Sequence, residues 1–384
     1  MTAITASTNK DNKDDPKSEL TQFKPGNQKS YKWDIVWFNL IGFAVLHLAT
    51  LYGYYLMFTG EVKFATFLWM FFVAYVSVIA TTMGAHRLFT HKTFKANFAL
   101  RTVLLVTSTI AGQNCLWVWV RDHRQHHKYS DTDADPHNAS RGFFFSHIGW
   151  LMVRKHPDVI RGGKLVDMSD LNADPLIMLQ KKYYKTWFTI FSIGIPTLVP
   201  YYFWNEGLWI SFLICFVTRL VTVLNGTWNV NSLAHIYGYR PFSKEILPTE
   251  NWFVSFIGAG EGWHNYHHSF PWDYRAAEMG QHFNITTLVI DFCAERGWAW
   301  GLKAASPAMV KYRATKRGDG SHRVYSKVDD NNNEYAIEDE DYIKLKSEAE
   351  TIFNEDNNNP MFLKKDDEHE KHMKVIEGIY KLVD

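Results

Sequence analysis

Nine histidines in this sequence have spacings that suit metal binding. His264, His267 and His268 are placed so that a single helical turn would put their three rings on one side. The same HxxHH spacing occurs earlier in the chain, and an HxxxxH and an NxxxH motif each follow an apolar run. The nine residues are His86, His91, His123, His126, His127, His235, His264, His267 and His268. Such a set is hard to explain except as one shared metal site, so the sequence predicts that distant segments meet around metal.

The number of donors indicates two metal ions. One transition-metal ion takes about four to six donors. The imidazoles therefore serve either two ions or one ion with several bystanders, and bystanders would not need such regular spacing. All these donors are nitrogens and no thiolate joins them, which suits iron, zinc or copper better than a zinc–thiolate or iron–sulfur site.

The composition indicates a large apolar core between polar ends. The chain has 384 residues, 46% of them hydrophobic, and a net charge of +1. Its three cysteines are too few for a disulfide framework and indicate a reducing environment. A nearly balanced charge gives no argument for nucleic acid as a partner. We expect no cleavable signal peptide, because the first apolar run comes after the polar residues 1–30.

Four apolar runs are long enough to cross a bilayer, which takes roughly 20 residues. We predict spans at about 33–58, 64–84, 185–203 and 208–228. A fifth run, 99–119, contains polar residues, and as a span it would put the second histidine cluster across the membrane from the first. We expect it to lie on the membrane surface or dip into it. The predicted fold is an all-α integral membrane protein with four transmembrane helices and a cytosolic helical cap that holds the dimetal site.

The distribution of charge sets the expected orientation. The short links at 59–63 and 204–207 contain one lysine and no arginine, whereas the segments 86–182 and 236–318 carry most of the cations. Positively charged loops stay in the cytosol. Both termini and all the histidine clusters are therefore expected on the cytosolic face.

The chain is expected to divide into a membrane domain and two polar tails. We predict a disordered tail at 1–30, the membrane domain at 31–314 and a polar, disordered tail at 315–384. Arg219 falls inside the last predicted span, where a charge usually faces the interior of the helix bundle. It could make a buried polar contact or touch a substrate, and the sequence leaves both open.

A histidine-rich dimetal centre beside a membrane has two main chemical uses. Redox-active iron activates dioxygen, whereas zinc activates water and needs a general base nearby. Glu261 could be that base, or it could orient an imidazole from behind. The membrane setting favours a hydrophobic substrate, and oxidation of an unactivated hydrocarbon needs a redox metal. The sequence therefore favours iron.

Five motifs resemble those of the membrane-bound acyl-CoA desaturases, the stearoyl-CoA desaturase family, and in particular its insect members. They are GAHRLFTHKTFKA, RDHRQHHKYSDTDADPHN, RGFFFSHIGW, NVNSLAHIYG and GAGEGWHNYHHSFPWDYR. Each matches in residue type, order and spacing, and the resemblance extends over about residues 30–315. Related hydroxylases and sterol desaturases have differently spaced histidine motifs.

The resemblance implies a reaction and its cofactors. Members of this family use dioxygen to introduce a cis double bond into a long-chain fatty acyl-CoA at the endoplasmic reticulum membrane. Two iron ions would be held by the nine histidines, with Asn231 reaching one iron through water, and no catalytic residue beyond the metal ligands is implied. Electrons would come from cytochrome b5 and its reductase, as separate proteins, because this chain has no HPGG haem motif.

The resemblance also implies a set of substrate contacts. A polyanionic coenzyme A needs cations at the cytosolic mouth of its site, although Arg154 and Lys155 could equally be ordinary positive-inside charge. The residues expected at the coenzyme A head are Asn39, Asn114, Arg121, Asp122, Arg154, Lys155 and Trp228. Those expected at a bend of the acyl tunnel are Gln113, Trp119 and Thr227, and those at its closed end are Met70 and Ala74.

Two other functions fit the same residues. A diiron fatty-acyl hydroxylase or another lipid oxygenase would use the same oxidant and return oxygen to carbon. A non-catalytic membrane metal-binding protein is a different class, but carriers place polar ligands within the spans to form a path. The ligands here are expected at one face, which favours an enzyme.

Overall fold

The described part of the chain is mostly helical. The structure, a computed structural model, describes residues 31–325. Three helices in this part are long and apolar enough to cross a membrane: Trp37–Phe58, Phe64–Thr90 and Leu208–Ile236. Large apolar side chains cover their outer faces, as at Phe38 and Phe58, which are 87% and 89% exposed. Such a surface suits lipid rather than water.

A pair of shorter helices gives a fourth candidate span. Phe98–Ala111 and Leu116–Tyr129 meet at an angle of 85°, so together they form either a broken span or a segment that enters the membrane and returns. The sequence predicted that this region lies on the membrane surface or dips into it. The bend has a local cause, because Gly112 and Asn114 both adopt left-handed backbone conformations, with φ of 71° and 81°.

The predicted helical membrane fold is confirmed at the level of three or four candidate spans. The predicted spans at 33–58, 64–84 and 208–228 coincide with the three apolar helices. The predicted span at 185–203 is helical from Tyr184 to Trp204, but it contains two prolines and two tyrosines and is not one of the three.

Short elements connect and cover these helices. Tyr184–Trp187 continues through Phe188–Gly194 into Ile195–Trp204, and Leu208–Ser211 continues through Phe212–Thr218 into Arg219–Ile236. A two-residue antiparallel sheet joins Lys95–Ala96 to Ala299–Trp300. The other helices are Phe143–His147, Pro157–Lys164, Ser169–Asn172, Pro175–Lys182, Trp252–Ile257, His264–Ser269, Ile285–Glu295 and Pro307–Arg317, with 3₁₀ turns at Ala139–Arg141 and Gly149–Leu151.

Within residues 31–325, three stretches adopt the wider π-helical turn: Ala80–Thr90, Phe188–Gly194 and Phe212–Thr218. In the first, the backbone N–H of His91 donates to the carbonyl of His86 at 3.1 Å, a bond between residues five apart. A π turn brings such residues onto one side of the helix, and π turns are frequent at functional sites.

The largest apolar core lies where the second apolar helix meets the bent pair. Phe89, Leu105, Leu116 and Ile290 are buried together there. These contacts fix the end of the second apolar helix, which carries His86, against the helix that carries His123. The core therefore determines the geometry of the histidines.

The predicted domain boundaries fall partly outside the described residues. The tail predicted at 1–30 lies outside them, as does 326–384. Helix Pro307–Arg317 runs across the boundary drawn at residue 315. Beyond it, Tyr325 packs against a buried cluster that includes Phe242 and Phe270.

Candidate metal centre

The nine histidines form two groups of facing imidazoles. In each group the nearest ligand atoms all lie within 4.8 Å of one another. The first group consists of His86, His91, His123, His127 and His267, and the second of His126, His235, His264 and His268. The groups are adjacent, since the rings of His127 and His268 stack at 4.2 Å. This grouping matches the donor number of two ions better than that of one.

Each HxxHH motif contributes to both groups. His123 and His127, four residues apart, face the first group, while His126 between them faces the second. The other motif is arranged the opposite way, with His264 and His268 in the second group and His267 in the first. The sequence predicted three rings on one side of each helix. In the structure each helix instead lies between the two groups and divides its rings between them.

The HxxxxH motif depends on the π-helical turn. In an ordinary α-helix, residues five apart point well away from each other, because each residue turns the helix by about 100°. The π turn brings the rings of His86 and His91 to 4.8 Å. Both then reach the first group, where His86 Nε2 lies 2.9 Å from His267 Nε2.

Three carboxylates stand behind the histidines, and two of them, Asp135 and Glu261, are buried. Asp135 accepts a hydrogen bond from Nδ1 of His126 at 2.9 Å. Oε2 of Glu261 lies 2.8 Å from Nδ1 of His86, and Oδ2 of Asp131 lies 3.5 Å from Nδ1 of His235. A carboxylate beside Nδ1 favours the tautomer that carries its proton there, which leaves the Nε2 lone pair free for a metal.

Glu261 is held as an anion. Burial alone would raise its pKa, but the neighbouring positive charge of Arg87, and then His86, lowers the pKa to about 2. Arg87 donates from Nε and Nη2 to one oxygen of Glu261 at 3.0 and 2.8 Å. A carboxylate engaged in this way is poorly suited to act as the general base of a zinc hydrolase. It orients a ligand.

The electrostatics of the site suit a cation. Burial, followed by the charges of neighbouring histidines, lowers the pKa of His264, His267 and His268 well below the ordinary value. These imidazoles are therefore neutral near pH 7, which is the form that binds metal. His126 Nε2 is buried and, among the described residues, has no hydrogen-bond partner. The donor set and this unpartnered atom both fit a bound transition metal.

A cavity of about 600 Å³ opens beside the first histidine group. Its lining includes His123 and Asn231, the latter one helical turn before His235. Of the expected substrate contacts, the cavity wall contains Gln113, Asn114, Trp119, Arg121, Asp122, Lys155, Thr227 and Trp228. At its polar part, Asp122 holds both cations: it accepts hydrogen bonds from Arg121 at 2.6 Å and from Lys155 at 3.0 Å.

Two expected coenzyme A contacts have other partners. The side-chain amide of Asn39 donates to the carbonyl of Leu151 at 2.8 Å, and Leu151 itself lines the cavity. Arg154 pairs with Asp34 at 3.3 Å, and both side chains are largely exposed. Neither Asn39 nor Arg154 is in the cavity wall.

A second, more apolar cavity meets the first. The two share Trp119, His123, Thr227 and Asn231, so they adjoin at the histidines. Val78 is among the residues that line the second cavity. Met70 is buried against Ile214 and Cys215, and neither Met70 nor Ala74 is among the residues lining these two cavities.

Comparison with known proteins identifies the family. A sequence model of the fatty acid desaturase family matches residues 61–300. The chain belongs to the fatty acid desaturase family. It is 51% identical to an acyl-CoA Delta(11) desaturase of Trichoplusia ni, with 78% of this chain and 85% of the relative aligned.

Other relatives of this desaturase family member carry different names. An acyl-CoA Delta-9 desaturase of Acheta domesticus is 50% identical, with 78% of this chain and 83% of the relative aligned. The stearoyl-CoA desaturase of Homo sapiens is 48% identical over the same shares of the two chains. The family resemblance predicted from the histidine motifs is confirmed, whereas the differing names show that overall similarity does not specify a bond position.

Several residues of this desaturase site were missed by the sequence reasoning. His137 is buried within ligand distance of His126 and Asp135, and its ring lies 5.4 Å from that of Trp150, in the cavity wall. Asp131 and Asp135 both contact histidines of the second group. All three lie in the segment DTDADPHN, which begins after the three residues that follow an HxxHH motif. Acidic residues that closely follow a ligand helix were a usable signal for carboxylates that orient metal-binding imidazoles.

Proposed function

We propose that this protein is an acyl-CoA desaturase. It would introduce a cis double bond into a long-chain fatty acyl-CoA, with dioxygen as oxidant and with electrons from cytochrome b5 and its reductase. Two hydrogens would leave adjacent methylenes, and these, with two electrons and two protons, reduce one dioxygen to two waters. One observation carries the proposal: two adjoining cavities reach the histidine groups, the first with Arg121 and Lys155 in its wall and the second more apolar.

Two iron ions would be held by the two histidine groups. Five imidazoles are available to one ion and four to the other. Asn231 lies in the cavity wall, four residues before His235 of the second group, and would complete the coordination of the second ion through a water molecule. When bound, the irons supply the oxygen activation that breaks unactivated C–H bonds. The carboxylates Glu261, Asp131 and Asp135 keep the rings oriented.

The polar part of the cavity would bind the coenzyme A head. Arg121 and Lys155 supply positive charge, and Asp122 holds both in place. Asn114 and Trp228 complete the wall there, and Asn39 supports it through Leu151. Arg154, now paired with the exposed Asp34, would have to exchange that partner for a phosphate.

The bend of the tunnel would select the carbon atoms that react. Thr227 accepts a hydrogen bond from Gln113 at 2.7 Å, and Gln113 accepts one from Trp119 at 3.1 Å. This chain of bonds crosses the point where the two cavities adjoin. A rigid bend would hold one pair of methylenes beside the histidines, so that geometry rather than bond strength decides the product.

The apolar cavity would take the end of the acyl chain. Val78 lines it, one helical turn beyond Ala74 on the same helix. We retain Met70 and Ala74 as proposed determinants of chain length, acting at the closed end beyond Val78. Apolar walls also exclude water from the reacting carbons.

The protein would lie in the endoplasmic reticulum membrane with four spans. The proposed spans are the three apolar helices and the helical stretch Tyr184–Trp204, with the bent pair entering from the cytosolic side. Charge in the loops then favours cytosolic termini and a cytosolic metal site. Cytochrome b5 would deliver electrons from that same side.

Expression in desaturase-deficient yeast tests the function. We expect growth without added unsaturated fatty acid and a new monounsaturated product whose double-bond position is read by mass spectrometry. A product heavier by one oxygen would instead support the hydroxylase alternative. No acyl product, with iron still bound, would leave the metal-binding alternative and refute the enzyme proposed here.

A further inference from the structure

Arg219 is a fully buried cation inside the apolar helix Leu208–Ile236. Its guanidinium donates only to uncharged oxygens in the described part of the chain: from Nε to the carbonyl of Cys215 at 3.2 Å, from Nη1 to that of Ile110 at 2.5 Å, and from Nη2 to that of Ser192 at 2.9 Å. A buried charge is costly unless its donors are satisfied. Its position therefore requires an explanation.

The bonds of Arg219 join three separate segments of chain. Ile110 is next to the last residue of helix Phe98–Ala111, Ser192 lies in the π-helical stretch Phe188–Gly194, and Arg219 itself follows another π-helical stretch. The hydroxyl of Ser192 also donates to the carbonyl of Ile110 at 2.9 Å. The last carbonyls of a helix have no partners within it and carry partial negative charge. Arg219 and Ser192 together satisfy one of these carbonyls, that of Ile110, in an apolar setting.

The turn that forms the bend begins at this helix end. Gly112 and Gln113 come directly after the helix and line the larger cavity. Gly112 packs tightly against Leu220, the residue after Arg219, because a Cβ at Gly112 would stand 2.7 Å from Leu220 Cδ1. Gln113 in turn accepts the hydrogen bond of Trp119, and the Trp119 ring stacks on His123 at 5.0 Å. A short chain of contacts thus runs from Arg219 to a candidate metal ligand.

Two simpler roles do not fit Arg219. It cannot reach the membrane surface by extending its side chain, because it is 0% exposed and all of its bonds point to backbone or Ser192. It is not a direct substrate contact either, since it is absent from the walls of both cavities.

We propose that Arg219 is a positioning residue that fixes the bend of the acyl tunnel and so sets which methylene pair lies beside the metal site. This inference rests on the proposed desaturase function. Arg219 touches no substrate; it acts by holding Ile110, from which the turn Gly112–Asn114 starts.

The test compares product isomers from variants at both ends of this contact. Arg219→Met removes the charge and all of its bonds, while Ser192→Ala removes one donor to Ile110 at much smaller cost. The loss of one charged hydrogen bond corresponds to a change of roughly tenfold in the ratio of two competing double-bond isomers. We expect the share of double bonds one or two carbons from the wild-type position to rise by about that factor in Arg219→Met and by less in Ser192→Ala. Arg219→Lys replaces the planar guanidinium, which donates to several carbonyls, with a single ammonium group, so it should recover only part of the selectivity.

Glu206→Gln is the matched control. Glu206 is also buried, and it accepts bonds from the backbone of Lys63 at 3.0 Å and from Thr66 at 2.7 Å, in the link between helices and away from the bend. Its replacement should lower stability without changing the double-bond position. An effect on position in this control as large as that of Arg219→Met would overturn a specific role for Arg219.

A second readout does not depend on catalysis. Cys115 follows the turn and is 5% exposed. In a background with Cys215→Ala and Cys293→Ala, a membrane-permeable maleimide should alkylate Cys115 several-fold faster in Arg219→Met and Ser192→Ala than in Glu206→Gln. If wild-type protein made no double bond, the proposed desaturase function would be refuted, but the labelling of Cys115 would still test the positioning role of Arg219. An unchanged isomer ratio in Ser192→Ala and in any folded Arg219 variant, with unchanged labelling, would overturn the inference.

Discussion

Asp135→Asn should weaken one metal site and leave the other nearly intact. Asp135 is fully buried and belongs to the second histidine group through a 2.9 Å bond from His126. Burial alone would raise the pKa of Asp135, but the imidazoles of His126 and His137 more than offset this, so the pKa is below its usual range and the group is an anion. An asparagine keeps the shape and loses the charge.

The size of the effect follows from what the carboxylate does. A charged hydrogen bond contributes about 1.5–3 kcal/mol, and removal of a carboxylate behind a metal-binding histidine typically costs about 10–100-fold in metal affinity. Asp135 also accepts from the backbone of Asp131 and His137, at 2.8 and 3.1 Å. The asparagine oxygen can keep one of these two bonds, so we expect a folded protein with a weakened second site.

The assay is iron content after dialysis against increasing chelator. Wild-type protein should hold about two equivalents of iron, and Asp135→Asn should lose one equivalent at about 10–100-fold lower chelator concentration. Asp133→Asn is the control, because Asp133 lies in the same segment but pairs with Arg141 at 2.7 Å. Loss of both equivalents together, or equal behaviour of the two variants, would refute the assignment of Asp135 to one of two separate sites.

Four further predictions concern other parts of the site. His127→Ala and His268→Ala, one from each histidine group, should each abolish turnover and lower bound iron; full activity of either variant would remove that residue from the ligand set. Ala74→Trp should shift the preferred substrate to shorter acyl chains in yeast lipid profiles, and an unchanged profile would count against its place near the tunnel end. Lys155→Ala should raise the KM for acyl-CoA about two- to fivefold, with less effect at high salt, because this side chain is partly exposed; a change in kcat alone would contradict a binding role. The pKa of Glu261 is lowered to about 2 from an ordinary 4.5, so its carboxylate stabilises the fold above pH 4.5 and loses that effect as the pH falls toward 2. The difference in Tm between wild type and Glu261→Gln should therefore shrink over that range, and a constant difference would exclude this linkage.

The sequence determined the donors and the helices that carry them. Apolar length alone located the three apolar helices, since a bilayer sets how long such a run must be. The spacing of nine imidazoles and the absence of thiolates were enough to predict histidine-based metal binding. Local patterns of this kind are readable because they depend on residues within a few positions of one another.

Only the tertiary structure decided how the donors are shared. His86 meets His267, 181 residues away, and no spacing along the chain could assign them to one group. A π-helical turn brings His91 beside His86, and the HxxxxH motif by itself does not predict that turn. Each HxxHH helix lies between two groups, so its rings divide, because the position of a helix among its neighbours is set by packing and not by its own sequence.

Long-range packing also decided the partners of Arg219 and Arg154. The sequence showed Arg219 as a charge within an apolar run, yet its role depends on the carbonyls of Ile110 and Ser192, which other segments of the chain place beside it. Arg154 meets Asp34 instead of the cavity because a bridge between Ile35 and Val153 brings those strands of chain together. The sequence by itself names the groups that can do chemistry, and long-range packing decides which of them face one another.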